Sequence, residues 1–134
     1  MVIAVARVGE IQPLTDANTI TAVLIELDGI ANAPMTGFQR VVRAQPVLSA
    51  HGLRLSDLTS VILHPDLPWH RSKSMIFGVT TEQWVDAVRI AGADGCDSLE
   101  AFLAAIHRAE SAAAMLRAGY RASRDGSGEI GWSR

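Results

Sequence analysis

Two imidazoles and a carboxylate fall within one short segment of this chain, His64-Pro-Asp-Leu-Pro-Trp-His70. Histidine titrates near neutral pH, so His64 and His70 could exchange protons with a substrate or bind a divalent metal ion. The alternative is a proline-rich surface turn whose histidines are merely exposed. The spacing matches no established metal-binding motif, so we predict catalytic roles for both residues and no metal.

A second candidate pair lies in the strongest predicted helix of the chain. At about 100° per residue, Glu110 projects about 20° from Leu99, in the middle of an apolar stripe. A carboxylate there is costly unless it is paired or protonated. His107 lies one turn earlier, so Glu110 and His107 could form an acid–base pair or two metal ligands. The structural alternative is an ion pair between Glu110 and an arginine, for which Arg40, Arg71 and Arg117 are the candidates.

These two groups suggest one pocket between the 64–71 loop and the last helix. Arg71 would hold an anionic group of a small ligand there, and Trp69 would line the pocket. A histidine or Glu110 would move a proton. The chain contains no P-loop, no GxGxxG after a strand, no GxSxG, no HExxH and no EF-hand loop, so we expect no cofactor. The best hypothesis is a small-molecule-binding protein or cofactor-independent enzyme; the alternative is a non-catalytic regulatory or protein-interaction module.

Charge distribution argues against general nucleic-acid binding. The net charge is −2, whereas counterion release requires a concentrated basic surface. The positive excess lies in residues 36–73, which also hold three of the four histidines. Residues 46–62 fit the spacing of a helix-turn-helix loosely, but Asp57 would fall in the recognition helix. A DNA-binding role is therefore the weaker alternative.

Residues 48–63, followed by Arg71-Ser72 and the sequence SMIFGV, resemble the helix–strand unit of the RidA/YjgF family of trimers. In that family a comparable arginine holds a substrate carboxylate, which implies such a role for Arg71. The chain lacks the family's second helix before that arginine and adds a long C-terminal helix, so nothing beyond Arg71 is carried over.

The elements that must position these residues are mostly helical. Apolar spacing predicts helices over 16–31, 36–45 with a kink or restart at Pro46, 81–92 and 98–123. Runs of β-branched and apolar residues predict strands at 2–8 and 74–79, with 58–63 ambiguous between strand and helix. We therefore predict a helix-rich α+β domain with two or three short strands and four or five helices. The alternative is an all-α bundle.

The 134 residues suit one domain, which we place at 1–123, with a mobile tail at 124–134. One cysteine, Cys96, excludes an intramolecular disulfide, and the neighbouring Asp94 and Asp97 should raise the pKa of its thiol. The chain shows no signal peptide and no apolar stretch of membrane-spanning length. We therefore expect a soluble, cytoplasmic protein of bacterial type. The Ala-rich run Ala109 to Ala118 suggests homodimerisation through the last helix.

Overall fold

Residues 17–124 and 126–134 are described in the computed structural model. Within these residues the chain forms six α-helices and one antiparallel hairpin, which makes it a helix-rich α+β single domain. The helices are α1 (Ala17–Ala31), α2 (Gly37–Ala50), α3 (Leu55–Thr59), α4 (Pro68–Phe77), α5 (Thr81–Ile90) and α6 (Leu99–Arg117). A 3₁₀ turn (Ala93–Gly95) precedes α6, and the strands are β1 (Arg121–Arg124) and β2 (Ile130–Ser133). The predicted fold class is confirmed, although the described residues form six helices and not the predicted four or five, and the hairpin excludes the all-α alternative.

Helix α6 lies at the centre of the packing and contacts α5, α1, α2 and α4. Its core-facing side is largely alanine and leucine, which lets the neighbouring helices approach closely. The largest fully buried side chains include Trp69, Trp84 and Phe102. In α1 the buried residues are Ile20, Val23, Leu24, Leu27 and Ala31, so the helical period outweighs the β-branching of this segment.

Side chains that satisfy the first backbone N–H groups define three of the helix starts. Thr36 with Gln39 and Thr80 with Gln83 form capping boxes at α2 and α5. Ser98 accepts a hydrogen bond from the Ala101 N–H at 3.1 Å and caps α6. Helix α5 thus begins where the helix over 81–92 is predicted to begin, and α6 begins one residue after the predicted start at Ser98.

Helix α4 covers residues 74–77 of the predicted strand over 74–79 and residues 68–71 of the predicted 64–71 loop, so both predictions are wrong there. Pro68 occupies the first turn of α4, where its missing N–H costs nothing, and Gly78 ends the helix with a φ of 68°. Helix α4 buries Lys73 and Ser74 and leaves Met75 and Ile76 exposed. The apolar residues Met75 and Ile76 therefore face solvent, although an apolar run of this kind is typical of a buried strand.

Several other local predictions need correction. Helix α2 continues through Pro46 without restarting, and the carbonyl that loses its partner there belongs to the exposed Val42. Phe38 and Val42 of α2 are 76% and 54% exposed, whereas Ala44 and Leu48 are buried. The predicted strand at 2–8 lies outside the described residues.

The segment 58–63 is the end of α3 followed by a turn, so the helix–strand unit implied by the RidA/YjgF resemblance is not present in this described segment. Leu58 and Ile62 are fully buried there. Buried apolar spacing of this kind is shared by short helices and strands, which explains the ambiguity of the sequence pattern.

The C-terminal hairpin occupies residues predicted as the end of the last helix and as a tail. Helix α6 ends at Arg117 rather than near Ser123. The register pairs Arg121 with Ser133 and Arg124 with Ile130. Arg124 Nη2 also donates to the Ile90 carbonyl at 3.1 Å, which ties the hairpin to the end of α5. The mobility of residues 124–134 stays a prediction.

Across residues 17–124 and 126–134, no helix combines the length and the apolar character needed to cross a membrane.

Candidate functional site

A largely buried ionic cluster joins three helices of the molecule. The Lys73 Nζ of α4 lies 2.5 Å from the Asp28 Oδ2 of α1 and 3.0 Å from the Glu110 Oε2 of α6. The Lys73 side chain is only 8% exposed. Two carboxylates facing one ammonium leave the cluster with one formal negative charge in excess.

Aromatic rings complete the surroundings of the Lys73 ammonium. Its Nζ lies 4.9 Å from the Phe77 ring centre and 5.2 Å from the Trp84 ring centre, within cation–π range. Burial raises the pKa of the Asp28 carboxyl, and the ammonium of Lys73 offsets only part of this effect. The cluster therefore lies in a poorly hydrated environment.

Glu110 lies in the apolar stripe of α6, as its position on the helix indicates. Its partner is Lys73, the single lysine of the chain, and not one of the three arginines considered as alternatives. Glu110 Oε2 also accepts a hydrogen bond from Asn32 Nδ2 at 3.0 Å. The carboxylate is thus held by one helix other than its own, α4, and by the turn that follows α1.

Asn32 connects this cluster to His107. Asn32 Nδ2 donates to Asp28 Oδ1 at 2.8 Å as well as to Glu110. Asn32 Oδ1 lies 2.7 Å from His107 Nδ1, on the exposed side of α6. The predicted pair His107 and Glu110 is therefore linked through the Asn32 amide.

His107 lines an open cleft of about 330 Å³ formed by the end of α1, the start of α2 and the exposed side of α6. Three cationic or ionisable nitrogen groups (Arg40, His107 and Arg108) and one carboxylate (Glu100) line it, over an apolar base of Ala31, Leu103 and Ala104. The remaining wall is Gly37, and a Cβ there would lie 2.5 Å from Glu100 Oε2, so the carboxylate packs directly against the glycine.

Both arginines of the cleft are anchored by backbone carbonyls. Arg40 Nη2 donates to the Ala33 carbonyl at 2.9 Å, and Arg108 Nη2 donates to the Ala91 carbonyl at 3.0 Å. Neither guanidinium forms an ion pair with a carboxylate of the described residues. Arg40 Nε is buried and has no hydrogen-bond partner in the same part of the chain. Both guanidinium groups therefore line the cleft without a carboxylate of the described residues in ion-pair contact.

His64 and His70 lie away from this cleft's lining. His70 is fully buried in α4, with its ring 5.5 Å from the Trp69 ring. Among the described residues, neither of its ring nitrogens has a partner with full hydrogen-bond geometry. Burial lowers the pKa of His70 to about 4, although the carbonyls of Ile62 and His64 favour the charged ring. His64 is partly exposed, and its Nδ1 accepts a hydrogen bond from the Asp66 N–H at 3.2 Å.

Trp69 and Arg71 also occupy different surroundings from those predicted. Trp69 is buried against the Trp84 ring, with ring centres 5.5 Å apart in an edge-to-face arrangement. Arg71 is exposed and lines a separate cleft of about 490 Å³, together with Pro65, Pro68 and Met75. Neither of the two clefts contains residues of both predicted groups. The structure thus brings together His107 and Glu110 through Asn32, whereas Arg71 lines the other cleft.

Other sequence expectations bear less on the site. Burial raises the pKa of the Cys96 thiol, with smaller contributions of the same sign from Asp94 and Asp97, as expected.

Helix α3, which lies in the segment considered for DNA binding, spans five residues, or about 7.5 Å, and Leu58 within it is buried. DNA binding through 46–62 stays a prediction. No group of three or more His, Cys, Asp or Glu side chains in the described part of the chain could hold a metal ion.

Sequence reasoning did not assign Asp28, Asn32 or Lys73 to a site. The available signal was the position of Lys73 as the only lysine among 12 basic residues. Asn32 directly follows a helix, where asparagine is common for local reasons. Its contacts with His107 and Glu110 span 75 and 78 positions of the sequence, so no local pattern indicates them. Comparisons of the chain with protein families, with curated proteins and with solved structures found no match.

Proposed function

We propose that this protein binds a small anionic organic molecule in the cleft lined by Arg40, His107 and Arg108. The observation that carries the proposal is the convergence of two guanidinium groups without carboxylate partners in the described residues and one imidazole fixed by Asn32. Pockets of this type combine an apolar base with a few placed polar groups.

The geometry of the arginines supports binding of a carboxylate or phosphate. Each guanidinium spends one nitrogen on a backbone carbonyl, which restrains the side chain before a ligand arrives. The remaining N–H groups of a planar guanidinium match the two oxygens of a carboxylate. A restrained arginine loses less conformational freedom on binding, so affinity is gained without a larger interface.

His107 would contact the ligand beside the two arginines, and Glu110 would act through Asn32 as a positioning residue. If the protein is an enzyme, His107 is the acid–base candidate for a reaction without an organic cofactor. His64 and His70 then have no direct part in this chemistry.

The test is a titration of the full chain with acetate, citrate and inorganic phosphate, followed by ¹H–¹⁵N NMR spectroscopy. We expect the largest shifts at the residues of the cleft. Arg40→Gln and Arg108→Gln should each weaken binding about tenfold, which is the loss of one charged hydrogen bond. Arg71→Gln and Arg54→Gln are matched controls on exposed arginines outside this cleft. Shifts elsewhere, or equal losses in the controls, would reject the proposal.

A second candidate function, a protein-interaction module, is favoured by one observation. Ile25 in α1 and Phe38 and Val42 in α2 are large apolar side chains that are more than half exposed. Phe38 and Val42 are four residues apart and so share one face of α2. Replacing both with serine should abolish a partner interaction while leaving acid binding in the cleft unchanged.

Homo-oligomerisation through α6 and a cytoplasmic location also remain predictions. Ala109, Ala112 and Ala113 are buried within one chain, so a dimer would have to use the outer face of α6. Sedimentation equilibrium of the purified chain gives the oligomeric state directly.

A further inference from the structure

With Asp28 and Glu110 both ionised, the hydrogen-bond chain from Lys73 to His107 has only one arrangement of donors and acceptors. An ammonium can only donate, so the carboxylates of Asp28 and Glu110 accept from Lys73. These carboxylate groups also face the Asn32 side chain, and they can be satisfied there only by its NH₂ group. The amide oxygen of Asn32 is then left to face His107, at 2.7 Å from Nδ1.

An amide oxygen can only accept, so His107 Nδ1 must carry the proton. In a neutral imidazole the other nitrogen then holds a lone pair. Nε2 of His107 is therefore a hydrogen-bond acceptor, and no hydrogen bond to it is formed by residues 17–124 and 126–134. The buried ionic cluster thus determines which proton-transfer role the exposed ring can play.

We infer that the ligand of this cleft is a small acid that also carries a hydroxyl or amino donor. The cleft offers donors from Arg40 and Arg108 and acceptors from Glu100 and from His107 Nε2, so it complements a molecule with both characters. A simple carboxylate would leave the acceptors unpaired, which costs binding free energy. This inference rests on the proposed function and names the ligand class of the same cleft.

The first experiment measures imidazole tautomers by long-range ¹H–¹⁵N NMR in the free protein. We expect the proton of neutral His107 on Nδ1. His64 is an internal reference of opposite sense, because its Nδ1 accepts from the Asp66 N–H and its proton must lie on Nε2. Asn32→Ala should remove the tautomer preference of His107, whereas Asn18→Ala, which replaces an exposed asparagine at the start of α1, should not change it. A proton on His107 Nε2 in the wild type, or no effect of Asn32→Ala, would overturn the inference.

The second experiment compares three acids of equal carbon number: propionate, L-lactate and L-alanine. We expect lactate and alanine to bind about fivefold to tenfold more tightly than propionate, because each adds one donor for the cleft acceptors. His107→Phe should erase the advantage of lactate. Glu100→Gln should reduce the advantage of alanine, whose ammonium faces a carboxylate.

The outcomes separate the two proposals. Equal binding of the three acids would refute the ligand class and leave anion binding in place. Failure of all three acids to bind at their highest soluble concentration would refute both proposals, whatever tautomer His107 shows. A confirmed tautomer with discrimination among the acids supports both.

Discussion

Replacing Lys73 by methionine is the most direct test of the ionic cluster that positions Asn32 and His107. The substitution keeps a long side chain against Phe77 and Trp84 but removes the only cation that faces Asp28 and Glu110 in the described structure. The two carboxylates would then remain next to each other in a poorly hydrated site. We expect a large loss of stability for this reason.

The magnitude follows from the burial of the partners. Removing one member of a buried ion pair costs about 3–5 kcal/mol. The Glu110 side chain is 23% exposed, so water would screen part of the remaining charge. We therefore expect the lower end, about 3 kcal/mol, which corresponds to about 2 M in the urea midpoint for a typical m-value of about 1.5 kcal/mol/M.

The assay is urea denaturation at neutral pH, followed by the fluorescence of the buried tryptophans. Arg89→Met is the matched control, because the Arg89–Asp86 pair is more than half exposed at both ends and should contribute less than about 1 kcal/mol. Adding Asp28→Asn and Glu110→Gln to Lys73→Met should restore more than half of the loss. A midpoint for Lys73→Met no lower than that of the control would refute the reasoning.

Three further predictions concern other parts of the fold. Burial lowers the pKa of His70 to about 4, so between pH 6.5 and about 4 the folded protein binds fewer protons at His70 than the unfolded chain. Acidification over this range should therefore remove up to about 3 kcal/mol of stability. Urea midpoints should fall across the range in the wild type and not in His70→Phe. Gly29 lies inside α1 with open space around it, so Gly29→Ala should stabilise the protein by about 0.5–1 kcal/mol. Gly78 has a φ of 68° and lies beside the Arg117 guanidinium, so Gly78→Ala should destabilise the protein by about 1 kcal/mol. Thermal melts that rank the two variants the other way would contradict this. Since burial raises the pKa of the Cys96 thiol, iodoacetamide should modify it more slowly in the folded protein than in urea at neutral pH, and equal rates would be inconsistent with the burial.

Periodicity was sufficient for the helices whose buried faces are apolar. Helix α1 follows its pattern from Ile20 to Ala31, and the stripe of α6 correctly placed Glu110. Helix α4 did not follow this rule, because it buries Lys73 and exposes Met75 and Ile76. Its boundaries were nevertheless indicated by a proline in the first turn and a glycine after the last one.

The candidate site was predictable only in part, because helical periodicity gives the direction of a side chain and not its neighbour. The angle of Glu110 indicated a buried carboxylate, but its partner comes from a helix 37 positions earlier. The same limit applies to His107, whose partner Asn32 is 75 positions away. Side chains such as Arg40 and Arg108 belong to one cleft only because α2 and α6 pack together, which no local pattern records.

The buried alanines of α6 bear on how the ionic cluster aligns the helices. Ala109, Ala112 and Ala113 place only methyl groups in the buried face of the second half of α6, so side-chain shape fixes the alignment of the neighbouring helices less firmly there than at Phe102 and Ile106. A slide of one helical turn would move Glu110 about 5.4 Å along the axis, away from Lys73, and leave the carboxylate partly buried without its cation. The ionic cluster therefore favours one alignment of the helices, because other alignments would separate Glu110 from Lys73.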